Sequence, residues 1–311
     1  MKKITLGLII LVSQFLYSDV EDHFKKAMNK LEYHQIDNVD FIYMINLDER
    51  PEKYELCMKT LNPYGIYPYR FSAVNGWQLS LEALNDLGIH YESWMTAGIM
   101  GTYFEDDEHS KHEMIQNPGK TYFCHCMPRG SVGIVLSHLS ILQDAYDSQY
   151  ETIWVMEDDV EVIQDPHVLS DLIEKLDALV GKDSWDILFT DQDTKSQQGN
   201  YVPCGSFSSR PNFSPANPAR FALKEEISPD FRRIGARYGA YSMIVRRSGM
   251  KKILNFIKNY HVFLPFDMEY TLPNNIRLYT VISDVISTQP QALSDNGVPN
   301  YKNRIFETIG E

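Results

Sequence analysis

Positive charge is scarce in this 311-residue chain: Lys and Arg number 29 against 42 Asp and Glu, a formal net charge of −13. A general nucleic-acid binder needs a positive face for phosphate backbones, so the balance argues against that class of partner. An anionic ligand would need local help from a metal or from a few Arg and Lys. Cysteine is scarce too. Cys57, Cys124, Cys126 and Cys204 permit two disulfides in an oxidising compartment, with a pairing that the sequence leaves open. They make no zinc quartet, because a single residue separates Cys124 from Cys126 and no matching second pair follows. Internal repeats and low-complexity stretches are lacking.

No apolar run comfortably reaches the roughly 20 residues that span a bilayer. The nearest is residues 4–12, behind Lys2 and Lys3 and ahead of Ser13, Gln14 and Ser18. It reads as an export signal over residues 1–18, which takes the protein out of the cytoplasm, or into a lumen if the source is eukaryotic. Extended through Phe15, Leu16 and Tyr17, the same run is an uncleaved membrane anchor with the domain on the cytoplasmic face.

What is present is ordinary for a globular protein: 43% hydrophobic and 23% charged residues. Aromatics at 12%, including 19 Tyr, suit surfaces that stack on sugar or base rings, as well as cores. The stretch that organises the rest is residues 152–162, TIWVMEDDVEV. Ile153, Trp154, Val155 and Met156 form the continuous apolar run of a strand buried on both faces. Glu157, Asp158 and Asp159 then fall at its carboxyl end, where open α/β sheets bind ligands. Three adjacent carboxylates repel one another and are costly to desolvate unless a cation or hydrogen-bond donors join them. A charged turn after a strand is the plainer reading.

Around this stretch the chain reads as alternating strands and helices. Residues 19–35 have the spacing of an amphipathic lead-in helix, with a solvated linker as the alternative. Residues 41–45 predict a strand that ends in Asn46, Asp48 and Arg50, and Pro51 opens a helix to about residue 61. Strand, polar turn, helix is how a nucleotide-binding α/β unit begins, and Arg50 is placed to meet a phosphate. A second strand is expected over 69–74. Residues 88–119, with the acidic cluster 105–108, read as a solvated loop, either a mobile lid or an acceptor-side insertion. The clearest helix is 130–147, within which Ser137 and His138 are either a satisfied buried pair or ligand contacts. A helix at 168–180 precedes a strand at 185–189 whose end carries Asp191 and Asp193, either further site carboxylates or a solvent-facing turn. Residues 199–218 are a long loop. A strand at 238–245, a helix at 250–260 and a weakly alternating strand at 278–286 complete the pattern.

Six stretches together resemble glycosyltransferase family 25, which includes bacterial lipooligosaccharide β-galactosyltransferases and collagen galactosyltransferases. They are Ile45-Asn46-Leu47-Asp48 with Arg50; Phe71-Ser72-Ala73-Val74-Asn75-Gly76; Gly133 with Ser137-His138-Leu139; MEDDVEV at 156–162; YGAYSMIVRRSGMKKIL at 238–254; and Pro265-Phe266-Asp267. The likeness covers roughly residues 40–287.

The resemblance implies an α/β fold of GT-A type: one domain over residues 38–300, with a mostly parallel central sheet flanked by helices. Before it come residues 1–18 and a lead-in at 19–37, and after it a tail at 301–311. It implies a UDP-sugar donor, most simply of galactose, and transfer with inversion to a lipooligosaccharide-like glycan or a protein hydroxyl. In the place of the family's DxD motif, Asp159 would bind a divalent metal, Mn²⁺ or Mg²⁺, and Asp158 the metal or the ribose, beside Glu157. A hard ion prefers carboxylate, water and phosphate oxygens, which agrees. Asn46, Asp48, Arg50, Ser137 and His138 would help to hold the nucleotide. Asp267 takes the position of the base that inverting transfer needs, with a helix cap as its alternative role. Asp191 and Asp193 are the second choices, in a segment more acidic than the family's usual one. Two other classes compete. One is an exported, non-catalytic protein that binds carbohydrate or a partner on the same fold; the other is a two-ion hydrolase, for which a third converging acidic strand end is missing. An export signal also sits awkwardly with a donor made in the cytoplasm, and calls for an anchor or a donor-supplied compartment.

Overall fold

The inner strands of the sheet are mostly apolar because both of their faces are covered. Phe41, Tyr43, Ile45, Ile153 and Val155 belong to one core, and Ile42, Met44, Trp154 and Met156 to a second on the opposite face. This is the computed structural model of the chain, and it describes residues 19–31, 35–107, 109–196, 198–289 and 295–296.

In chain order, β1 (Phe41–Asn46) leads to α1 (Pro51–Leu61), whose first residue is the expected proline. Next come β2 (Tyr69–Ser72), α2 (Leu81–Leu87), β3 (Ile89–His90), β4 (Met100–Phe104), β5 (Ser110–Met114) and β6 (Thr121–Cys124). The long helix α3 (Arg129–Asp147) precedes β7 (Thr152–Glu157), β8 (Val160–Val162), α4 (Val168–Val180) and β9 (Ile187–Phe189). After a long irregular stretch follow β10 (Lys224–Glu226), β11 (Phe231–Ile234), β12 (Ser242–Arg246), α5 (Arg247–Tyr260), α6 (Phe266–Glu269), β13 (Leu278–Val281) and β14 (Ile286–Thr288).

The central sheet has eight strands in the order β10-β11-β13-β9-β12-β7-β1-β2. It is mixed rather than mostly parallel in its pairings. β7-β1-β2 and β9-β13 pair parallel, whereas β12 lies antiparallel between β7 and β9, and β11 antiparallel beside β13. Helices α3 and α5 supply one core and α1 and α4 the other. Glu157 thus ends a strand flanked by β1 and β12, in the middle of the molecule.

Two further expectations fail. Residues 88–119 are not a loop: β3, β6, β4 and β5 form a four-stranded antiparallel sheet of their own. Glu105, Asp106 and Asp107 sit at the β4–β5 turn. The pattern hides because β5 is polar and mostly exposed, leaving no alternation to read.

The lead-in is the other. Only a single turn, Val20–His23, is helical, and the next residues run irregularly along the domain. Their partners lie elsewhere in the chain: the Lys25 amide donates to Ser140 Oγ, the Met28 amide to Tyr69, and Lys30 Nζ to Asp144. Met28 and Leu31, meant for an apolar face, are exposed. Residues 32–34, the signal or anchor at 1–18 and the tail at 301–311 lie outside the described residues. Among the described residues, no helix is long and apolar enough to cross a membrane. All four cysteines are free; Cys57 lies in the core opposite that of Cys124 and Cys204, and Cys124 and Cys126 Sγ are 3.1 Å apart.

Candidate functional site

The β2 and α3 ends are brought together by two glycines. A Cβ on Gly76 would fall 1.9 Å from the Arg129 carbonyl oxygen, and one on Gly133 2.5 Å from the Gly76 amide nitrogen and the Val74 carbonyl oxygen. Only bare backbone allows this approach. Ser137 secures it, accepting from the Val74 amide at 2.8 Å and donating to the Gly133 carbonyl at 2.7 Å. Ser137 therefore acts as a rung between loop and helix, while also lining the cavity that opens there.

That cavity lies over the carboxyl ends of β1, β2 and β7. Asn46, Lys53, Asn75, Gly76, Trp77 and all three carboxylates Glu157, Asp158 and Asp159 are among its walls. Asn46 is buried at the end of β1 and donates to Asp158 Oδ2 at 2.6 Å and to the Arg50 carbonyl at 2.8 Å, while Arg70 donates to its Oδ1 at 2.7 Å. Asp48 is outside this group: it is exposed and bonded to Ser72 and Arg70. Arg50, the residue that precedes α1, and Lys53, on its first turn, both hold the carboxylate of Asp295. This corner accepts an anion.

The three acids differ in what they already have. Glu157 Oε1 meets His138 Nε2 at 2.9 Å. The His138 ring is buried, stacked on Phe266 at 4.1 Å, and its Nδ1 has no hydrogen-bond partner. The neutral tautomer with its proton on Nε2, donated to Glu157, is the one that orphans no buried donor. Asp158 has Asn46 and the Lys53 charge nearby, yet burial still raises its pKa. Asp159 opens partly to the cleft, but its Oδ1 is enclosed with no partner. Burial first, then the charges of Glu157 and Asp158, push its pKa up to about 7.

A second cavity of about 480 Å³ meets the first at Ile134, Glu157, Asp159 and Asn296, and reaches Cys126, Tyr241 and Asp267. Asp267 is the second residue of α6 rather than its cap, and its Oδ2 accepts from the Gly239 amide at 3.0 Å. Burial, with a smaller part from the Glu157 charge, raises its pKa above the usual carboxylate range. Its backbone is fixed from behind by buried Glu269, which accepts from the Phe263 and Leu264 amides at 2.7 and 2.8 Å and pairs with Arg210 at 2.5 Å.

Asp191 and Asp193 do not join this group. Asp191 is wholly buried, with Arg237 at 2.7 Å, Ser287 at 3.0 Å and the Tyr241 hydroxyl as partners. Asp193 is held by Lys224 at 2.8 Å. Every oxygen of Asp191 has a donor, so it is neither a poised base nor a vacant ligand.

Lys53, Asp295, Asn296 and the Arg210–Glu269 pair were missed from the sequence. Lys53 stands three residues after Arg50, a signal that spacing carries. Asp295 lies 245 positions beyond Arg50 and gave none. A divalent cation fits the acidic end in one way only. Among the described residues no three His, Cys, Asp or Glu side chains converge as a ligand set. The protein would offer the orphaned Asp159 oxygen with Asp158 beside it, and phosphate and water would complete the shell, as hard ions at polyphosphates prefer.

Comparison with known proteins points to a glycosyltransferase family. The model of a family described as "Glycosyltransferase family 25 (LPS biosynthesis protein)" matches residues 39–271. A "Glycosyltransferase 25 family member" of Drosophila melanogaster is 26% identical over 168 residues, covering 54% of this chain and 23% of the relative. One of Aedes aegypti is 27% identical over 151 residues, 49% of this chain and 21% of the relative. The matched part of the chain spans about a fifth of the length of these relatives.

Proposed function

The chain belongs to glycosyltransferase family 25, and from that premise we propose a GT-A type, inverting hexosyltransferase that moves a hexose, galactose foremost, from a UDP-sugar to a hydroxyl of a glycan or protein. The observation that carries the reading is the meeting of two cavities at Glu157 and Asp159, one walled by an anion-holding corner and the other by Asp267. The first is our donor site and the second our acceptor site.

On this reading the donor diphosphate displaces Asp295 from Arg50 and Lys53, and Asn46 keeps Asp158 oriented towards it. Asp159 and Asp158 would hold a divalent metal, Mn²⁺ or Mg²⁺, which when bound offsets the charge that builds on departing UDP. His138 keeps the Glu157 carboxylate turned to the β7 end by its hydrogen bond. Asp267 removes the acceptor proton as the hydroxyl oxygen attacks the anomeric carbon, and the electrons of the broken bond leave with UDP. A raised carboxyl pKa suits that task, bringing the base nearer the working pH. The acceptor is proposed to be a lipooligosaccharide-like glycan or a protein hydroxyl. Residues 1–18 are proposed to export the chain, or to anchor it, to a compartment that contains nucleotide sugar.

Asp267→Asn tests the base. Transfer to acceptor should fall about a hundredfold to ten-thousandfold, with Mn²⁺-dependent UDP binding unchanged by calorimetry. Undiminished transfer would remove Asp267 from the role.

A further inference from the structure

Away from the cleft, a cavity of about 350 Å³ opens between α2, β3 and the end of α5. Trp94 stands at its rim, 68% exposed. The ring is not exposed by fraying. The flanks of its turn are tied to other segments: the Tyr91 amide to the Lys120 carbonyl at 2.8 Å, the Gly119 amide to the Tyr91 carbonyl at 2.9 Å, and the Thr96 amide to the Pro211 carbonyl at 2.9 Å. Within the turn the Met95 amide bonds back to Glu92, and the indole N–H donates to the Glu92 carboxylate at 2.5 Å. The indole is thus held by its edge, with its faces free to stack.

The other walls are rich in hydrogen-bonding groups, among them Asn85, His90, Asn212 and Asn259. Among the described residues no Lys or Arg lines the cavity, and Asp86 and Glu92 do. That chemistry disfavours phosphates and acidic sugars and suits hydroxyls, which amides and carboxylates bind from one side while an aromatic face covers the apolar side. The cavity is also tied to the cleft. Tyr260 and His261 line it, Asp267 lines the acceptor site, and the buried Arg210–Glu269 pair fixes the residues between, Arg210 donating to the Tyr260 and His261 carbonyls. Six residues of chain span at most about 20 Å, a reach that several linked sugars cover and one does not.

We propose that the Trp94 cavity is a second binding site for the acceptor, taking a neutral oligosaccharide at units remote from the one that is glycosylated. The proposal rests on the transferase reading for the word acceptor, but not for the binding itself. It predicts a selective effect: Trp94 sets affinity for long glycans and leaves the donor site alone.

The test uses the full chain without donor. An array of neutral oligosaccharides of one to six units is screened, and the best hit is titrated against wild type, Trp94→Ala and Trp94→Phe by calorimetry; Mn²⁺-dependent UDP binding is measured on the same samples. Binding of an oligosaccharide that weakens about tenfold or more in Trp94→Ala and recovers in part in Trp94→Phe, with UDP binding unchanged, supports the site. Equal affinity in Trp94→Ala, or no neutral oligosaccharide bound by wild type, overturns it. Loss of the transferase reading would instead show as absence of UDP binding in wild type, a separate readout.

Discussion

Two strands of one sheet end in acidic residues, and the molecule treats the two ends in opposite ways. At the end of β9, Asp191 is enclosed by Arg237, Ser287 and Tyr241, and Asp193 by Lys224. At the end of β7, Asp159 keeps an enclosed oxygen with no partner beside two further carboxylates. The first end is internally neutralised and holds the fold together. The second is compensated only in part, with the Asp159 oxygen left over at a cost in stability, and faces two cavities. A carboxylate with its partners built in is architecture; on the proposed reading, one that lacks them is the place for a ligand.

Substitution should separate the two ends most sharply. Asp159→Ala is expected to lower metal-dependent transfer roughly a thousandfold while the apo protein melts at or above the wild-type temperature, because a buried charge is removed. Asp191→Ala should do the reverse. Stranding the Arg237 guanidinium in the interior costs about 3–5 kcal/mol, seen in urea unfolding, and the fraction that stays folded keeps its donor binding. If Asp159→Ala proved the more destabilising of the two, the contrast would be gone.

Metal and pH sharpen it further. Asp159 has a raised folded-state pKa of about 7, so its proton stabilises the folded state at low pH, and that benefit is lost as pH rises from the unfolded value through about 7. A cation competes with that proton. Mn²⁺ at one fixed concentration, about a hundred times its dissociation constant at pH 8, should therefore raise Tm by about 5 °C at pH 8 and by clearly less at pH 5, measured by calorimetry. An equal rise at both values would mean that the ion binds elsewhere. The smallest effect is expected at the β9 end: Lys224→Ala leaves Asp193 its Thr194 amide and should cost about 1 kcal/mol, with no change in metal response.

The contrast also marks how far the sequence could be read. The strand at β7, the helices α3, α4 and α5 and the proline-led α1 were legible, because unbroken apolar runs and 3.6-residue spacing reflect two-sided and one-sided burial. The sheet of β3 to β6 was not, since short strands with a wet outer face carry little pattern. Helical spacing in residues 19–31 misled, because side-chain hydroxyls far along the chain offered its backbone other partners. For the site, the acids themselves were visible and their states were not. Asp159 and Asp191 each follow an apolar strand, and the difference between them lies in Arg237, Tyr241 and Ser287, residues 46 to 96 positions from Asp191. Asp267 was singled out by resemblance and lines the second cavity, while Glu269, which fixes its backbone, is two residues away and went unnoticed.

The most direct measurement is release of UDP from a panel of UDP-sugars, with Mn²⁺ and with chelator, by wild type beside Asp159→Ala. Metal-dependent release from one donor, abolished in Asp159→Ala, is the predicted result and names the sugar. Release that is indifferent to chelator and to the substitution, or no turnover or binding of any UDP-sugar, would contradict the assignment of the β7 end.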